Sequence, residues 1–218
     1  MNILERIFRR NEVNNNELII GNQIWMTSNL KTTKFRNGDE LQYIKSEEEW
    51  ELAMVNKEPG YCFYDHDPEN GESKGYLYNW YAINDKRGLA PIGWKIPNIN
   101  DFEILIKYLT PNEEVFSLEG KNGLHKVFRS IDLREKLIIK SQWSGIYWNT
   151  DNEVNLFKAI PSGGRGMNGF NYGSVMAFWW CYNEFNEDGA YFFNINDCCV
   201  EIKSASKNSF FALRLLRE

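Results

Sequence analysis

Eight tryptophans in 218 residues, with 11 tyrosines and 14 phenylalanines, raise the aromatic share of the chain to 15%. Each such ring takes roughly 150–250 Å² out of water when buried, so the fold must supply a wide interior. A chain of this length can do so without disulfide or metal staples. Apolar residues at 43% and charged residues at 25% are ordinary for a globular protein. With 25 Lys and Arg against 30 Asp and Glu, the net charge is −5. That is not the basic field of a nucleic-acid binder. Apolar runs such as Leu137-Ile138-Ile139 fall far short of the roughly 20 residues that a membrane-spanning helix needs.

Residues 1–17 read as an N-terminal extension. Ile3, Leu4, Ile7 and Phe8 share a helical face among Arg6, Arg9 and Arg10, which fits a short helix, docked or frayed, with a membrane-surface or partner helix as the sharper alternative. No secretory signal pattern is visible there. Residues 18–218 read as one α+β domain. Gly21-Asn22 and Asn37-Gly38 mark hairpin turns, and Ser46-x-x-Glu49 and Asn98-x-x-Asp101 open helices. Phe102, Leu105, Ile106 and Leu109 give the second helix its buried face. Tyr61-Cys62-Phe63-Tyr64 reads as a strand, 65–75 as a polar loop and 76–82 as a short helix. Pro91 and Pro97 keep their stretch extended. A weaker helix is expected at 124–131, and strands at 175–182, 190–195, 200–202 and 210–216.

The ordered motifs Gly21-Asn22-Gln23-Ile24-Trp25-Met26, Tyr61-Cys62-Phe63-Tyr64, Gly75-Tyr76-Leu77-Tyr78-Asn79-Trp80-Tyr81-Ala82, Pro91-x-Gly93-Trp94-x-Ile96-Pro97, Phe157-x-Ala159-Ile160-Pro161 and Phe178-Trp179-Trp180 carry a further message. Together they closely resemble the Fibrobacter succinogenes major paralogous domain, a family abundant in Bacteroidetes-type bacteria, over residues 18–218. The resemblance implies a C-type-lectin-like fold, with a helix pair, a mixed or antiparallel sheet and a long loop-rich region presenting a ligand surface. It also implies cysteines at two positions held here by Ala90 and Leu215. Their joint replacement, with no signal peptide in view, leads to the expectation of a cytoplasmic, reducing setting in which Cys62, Cys181, Cys198 and Cys199 are free thiols.

The chemistry-bearing residues are sparse. The acidic run Asp65–Glu72 misses EF-hand spacing and reads as a solvated turn. Trp148-Asn149-Thr150-Asp151 has only Glu58-Pro59-Gly60 to partner it, which is a poor calcium-lectin set. Two histidines, His66 and His125, give no triad. On alternating strand faces Cys198 and Cys199 would point apart. In Ser162-Gly163-Gly164-Arg165-Gly166 no Lys-Ser/Thr follows, so it reads as a loop with Arg165 as an internal clamp. No metal and no cofactor is expected. The reading is therefore a non-enzymatic binding module facing a protein or glycan, with Trp148, Asp151, Tyr172, Trp180, Tyr182, Asn183 and Glu184 as ligand-binding candidates. The alternative is a thiol-dependent enzyme related to formylglycine-generating enzymes, using Cys181, Cys198 or Cys199.

Overall fold

A computed structural model describes residues 16–112, 116–120, 123–129, 131–143 and 156–218. The helix expected near the N-terminus and the candidates Trp148 and Asp151 lie outside the described residues.

Strands β1 (Glu17–Ile20) and β2 (Gln23–Met26) form the expected hairpin, in a register that sets Leu18 opposite Trp25. After β3 (Gln42–Tyr43), Ser46 caps α1 (Glu47–Asn56) by accepting from Glu49 N–H at 3.3 Å. The reciprocal half of the box falls one residue early, because Glu49 Oε2 accepts from Lys45 N–H at 2.9 Å. Strand β4 (Gly60–Cys62) follows.

The stretch 65–75 is not a loop. Asp67 accepts from Glu69 N–H, Pro68 starts α2 (Pro68–Lys74), and Gly75 stops it at φ 85°. The helix has no apolar stripe, and its one buried residue is Gly71. A Cβ there would come within 2.5 Å of the Phe63 ring.

The expected helix at 76–82 divides at Asn79 into β5 (Leu77–Tyr78) and α3 (Trp80–Ile83). Asn79 Oδ1 accepts from both Ala82 N–H and Gly60 N–H at 3.0 Å, so one amide caps the helix and anchors β4. Strand β6 (Trp94–Lys95) lies between the two prolines. Helix α4 (Ile99–Leu109) has a complete capping box between Asn98 and Asp101 and buries the four expected apolar residues.

The helix expected at 124–131 is replaced by the hairpin of β7 (Phe116–Gly120) and β8 (Gly123–Phe128), with a helix, α5 (Ile131–Leu137), after it. Asn122-Gly123 is the same turn signal as Asn37-Gly38. Pairing of β8 with a late strand outweighs the local helical preference. Strands β9 (Gly164–Gly166) and β10 (Gly169–Asn171) turn the glycine-rich segment into a hairpin rather than a loop. Then come β11 (Ala177–Glu184), β12 (Gly189–Ile195), β13 (Val200–Ser206) and β14 (Leu216–Arg217). Of the strand expected at 210–216, Phe210, Phe211 and Ala212 make isolated bridges to Arg165, Tyr78 and Trp179.

Helices and largely antiparallel sheets thus make an α+β protein. One sheet runs β1-β2-β14-β6, joining the first described strand to the last, and a five-stranded sheet runs β11-β12-β13-β8-β7. The small sheet β3-β4-β5 is mixed, with β3 and β4 parallel. The five-stranded sheet separates two apolar cores at β11 and β12. Ala177, Trp179, Cys181, Phe193 and Ile195 enter the core shared with Trp25, Phe102 and Phe157. Phe178, Trp180, Ala190 and Phe192 enter the other, with Tyr78, Trp80, Trp94 and Phe211. Side chains alternate across a strand, so a strand buried on both faces must read as the continuous apolar run Ala177-Phe178-Trp179-Trp180-Cys181. Ala90 and Leu215 both lie in the second core.

Candidate functional site

At the end of β11 the pairing with β12 is irregular between Trp180 and Glu184. Such a bulge frees backbone groups and re-aims side chains. Tyr182 N–H donates to Pro97 O at 2.7 Å, and Asn183 Oδ1 accepts from Ile99 N–H at 2.8 Å, which ties the bulge to the start of α4. The Tyr182 ring is left 50% exposed, 6.1 Å from the Trp80 ring, with its hydroxyl donating to Asn84 Oδ1 at 3.3 Å.

Beneath this ledge lies a cleft of about 420 Å³, lined by Tyr182, Asn183, Trp94, Asn98, Asp85 and Lys95 among others. Its charges are mostly held in place. Lys95 Nζ reaches both Asp101 carboxylate oxygens at 2.8 and 2.9 Å, and Asp101 also accepts from Asn98 N–H. Arg87 donates to Asp85 from Nε and NH2, and this hydrogen bonding holds the Asp85 carboxyl below its ordinary range. Arg36 grips Ala90 O through Nε and NH2 at 3.0 and 2.8 Å. What remains is a rigid polar recess with one aromatic face open to solvent. Two carboxylate residues, Asp85 and Glu218, line it, the first of them held by Arg87, and among the described residues neither a thiol nor a histidine is in its lining.

The other expected site residues part company. Trp180 has no exposed surface, and its Nε1 donates to Tyr78 O at 2.8 Å. It is a core side chain and has no face to offer a ligand. Glu184 accepts from Trp80 Nε1 at 3.3 Å and pairs with Lys207 at 3.2 Å, tying the ledge to the turn after β13. Tyr172 is 52% exposed at φ 65°, but it packs 6.1 Å from the Phe178 ring and is no part of the cleft lining. Of the candidates among the described residues, the cleft brings together Tyr182 and Asn183. Sequence reading missed Asp85, Trp94, Lys95 and Asn98 as partners. The capping box and the Pro-x-Gly-Trp motif mark where those chain segments turn, and only the fold sets them beside β11.

Arg165 is an internal clamp as expected. It is 1% exposed, it pairs with Glu47, and its guanidinium lies 4.2 Å from the centre of the Trp50 ring. Among the described residues no group of three or more His, Cys, Asp or Glu is arranged to hold a metal ion, and no helix is long and apolar enough to cross a membrane.

These features define an α+β scaffold in which aromatic motifs are spent on two cores and a polar rim is carried above them. Residues 18–217 match the model of the Fibrobacter succinogenes major domain, and the chain belongs to that family. Comparison with curated proteins and with solved structures gave no match.

Proposed function

We propose that this protein is a non-catalytic binding module whose ligand seat is the cleft under Tyr182, and that the ligand is a glycan. The half-exposed Tyr182 ring above a recess of amides and paired charges carries the reading. An open aromatic face gives stacking area at low entropic cost, and fixed amides and carboxylates give directional hydrogen bonds. Two further observations favour binding over thiol catalysis. Burial drives the Cys181 thiol well up, and it pushes Cys199 up to about 11. A thiol that turns over substrate as a catalytic nucleophile at neutral pH needs the opposite shift.

The fold reading that goes with this function is a C-type-lectin-like relative. It is supported by the shared sheet of β1 and β14 and by the two longest described helices, α1 and α4. A protein ligand is the second reading, favoured by Ile92, which is 82% exposed beside the cleft residues Ala90 and Trp94. A glycan array probed with the full chain tests the first reading. Retention of a defined saccharide set, unchanged by chelator and with the sugars recovered intact, is expected. Chemical conversion of the sugar would overturn the non-catalytic reading, and binding abolished by Ile92→Asp on a sugar-free partner would favour the second.

A further inference from the structure

The turn joining β12 to β13 carries the two adjacent cysteines. Ile195 pairs with Val200, so residues 196–199 are the loop, closed by Asn196 N–H donating to Cys199 O at 3.0 Å. A turn abolishes the strand alternation that would send neighbouring side chains apart, so the sequence expectation for this pair is corrected. Asn196 Oδ1 gathers four donors: Cys198 N–H at 2.9 Å, Cys199 N–H at 2.8 Å, and the two sulfurs at 3.2 and 3.4 Å. Held on one acceptor, the sulfurs sit 3.4 Å apart. Cys198 is exposed and Cys199 is buried behind it.

We infer that Cys198 and Cys199 form a reversible two-electron redox site that a hydroperoxide oxidises to an intramolecular disulfide. In the first step the Cys198 sulfur attacks the hydroperoxide oxygen. The O–O bond breaks, the alcohol or water leaves with the thiol proton, and Cys198 becomes a sulfenic acid. In the second step the Cys199 sulfur attacks the Cys198 sulfur. The S–S bond forms, the S–O bond breaks, and hydroxide leaves as water with the Cys199 proton. Two thiols thus give two electrons and two protons to one O–O bond.

Exposure assigns the roles. Cys198 meets the oxidant, and Cys199, buried with its sulfur 3.4 Å away, is the thiol within reach to resolve the sulfenic acid. Cys62 and Cys181 do not compete, because both are fully buried and burial raises both thiols. Reversibility follows from chain geometry. Adjacent Cα atoms are about 3.8 Å apart across a trans peptide, below the roughly 4.4–6.8 Å that a disulfide ordinarily spans. A strained disulfide is readily reduced, which is the property of a switch and not of a staple.

The turn is wired to the sheet. Asn196 Nδ2 donates to Asn194 Oδ1 at 3.2 Å and to Glu201 Oε2 at 2.9 Å, and Glu201 meets His125 Nε2 and Lys203 Nζ, each at 2.9 Å. Closure of the disulfide removes both thiol donors from Asn196 Oδ1 and loosens the residue on which this network turns.

Intact-mass spectrometry of the full chain after dilute hydrogen peroxide tests the inference. The expected result is loss of two hydrogens, with the peptide bearing residues 198 and 199 no longer alkylated after denaturation, and recovery of both thiols with reduced glutathione. Cys199→Ser should accumulate a Cys198 sulfenic acid, trapped by dimedone, and Cys198→Ser should resist oxidation at the turn. Wild-type protein whose Cys198 passes to sulfinic acid while Cys199 stays alkylatable, or whose disulfide joins two chains, would overturn it.

Discussion

Trp179 and Trp180 are adjacent, are both fully buried, and belong to different cores. Each indole N–H has its own acceptor at 2.8 Å, Asn29 Oδ1 for Trp179 and Tyr78 O for Trp180. One peptide unit of β11 therefore joins the two halves of the interior. Trp180→Ala should cost about 3–5 kcal/mol by opening a cavity. Trp180→Phe keeps most of the ring and loses the hydrogen bond, for about 1 kcal/mol. Urea denaturation gives both numbers, and ligand binding by Trp180→Phe should match the wild type.

Asn29 gathers the buried polar network of the first core. Its Oδ1 accepts from Trp179 Nε1 and from Arg214 Nε and NH2, and its Nδ2 donates to Lys74 O at 2.8 Å. Gly75 permits this approach, since a Cβ there would lie 2.5 Å from Asn29 Cβ. Burial lowers the Arg214 guanidinium to about 9, so it remains charged at neutral pH, and oxygens hold it, including Phe157 O at 2.8 Å. Asn29→Ala strands an indole N–H and two guanidinium donors, and should lose about 2–4 kcal/mol. A shift in the urea midpoint at constant slope checks this.

His66 supplies a pH signature. Burial, then the nearby Arg165 guanidinium, lowers its pKa from 6.5. The folded state thus binds fewer protons than the unfolded state between the lowered value and 6.5, and stability rises with pH there. As pH falls below 6.5 the protein should lose stability through this group before its carboxylates titrate. His66→Gln should flatten that part of the profile of melting temperature against pH; an unchanged slope would contradict the assignment.

Asn183 illustrates a polar residue that the fold has put to structural use. Its carbonyl serves the first amide of α4, so Asn183→Ala should cost about 0.5–2 kcal/mol, read by thermal unfolding, whatever it does to ligand.

What was legible in the sequence follows from where the deciding forces act. Local chemistry announced itself. Gly21-Asn22 turned, Asn98 and Asp101 capped, and Phe102, Leu105, Ile106 and Leu109 faced inward as their spacing required. Helix α2 escaped notice because its caps act without an apolar stripe. Strand β8 did so because its partner, β13, lies some seventy residues away (Val200 opposite Phe128). For the proposed cleft, residue type alone points to Tyr182 and Asn183, which line it, and equally to Trp180, which is buried. In a strand buried on both faces, polar neighbours say nothing about exposure. The cleft itself joins segments before α4 and within β11, a juxtaposition that no single stretch of sequence encodes.

The most direct test of the account is saccharide binding by Tyr182→Ala, measured beside its melting temperature. The ring stands half in solvent, so its removal should leave unfolding close to wild type, while affinity for array-selected sugars falls at least about tenfold, the equivalent of roughly 1.4 kcal/mol. Undiminished affinity in a folded Tyr182→Ala protein would show that the ledge above the cleft is not where this protein meets its ligand.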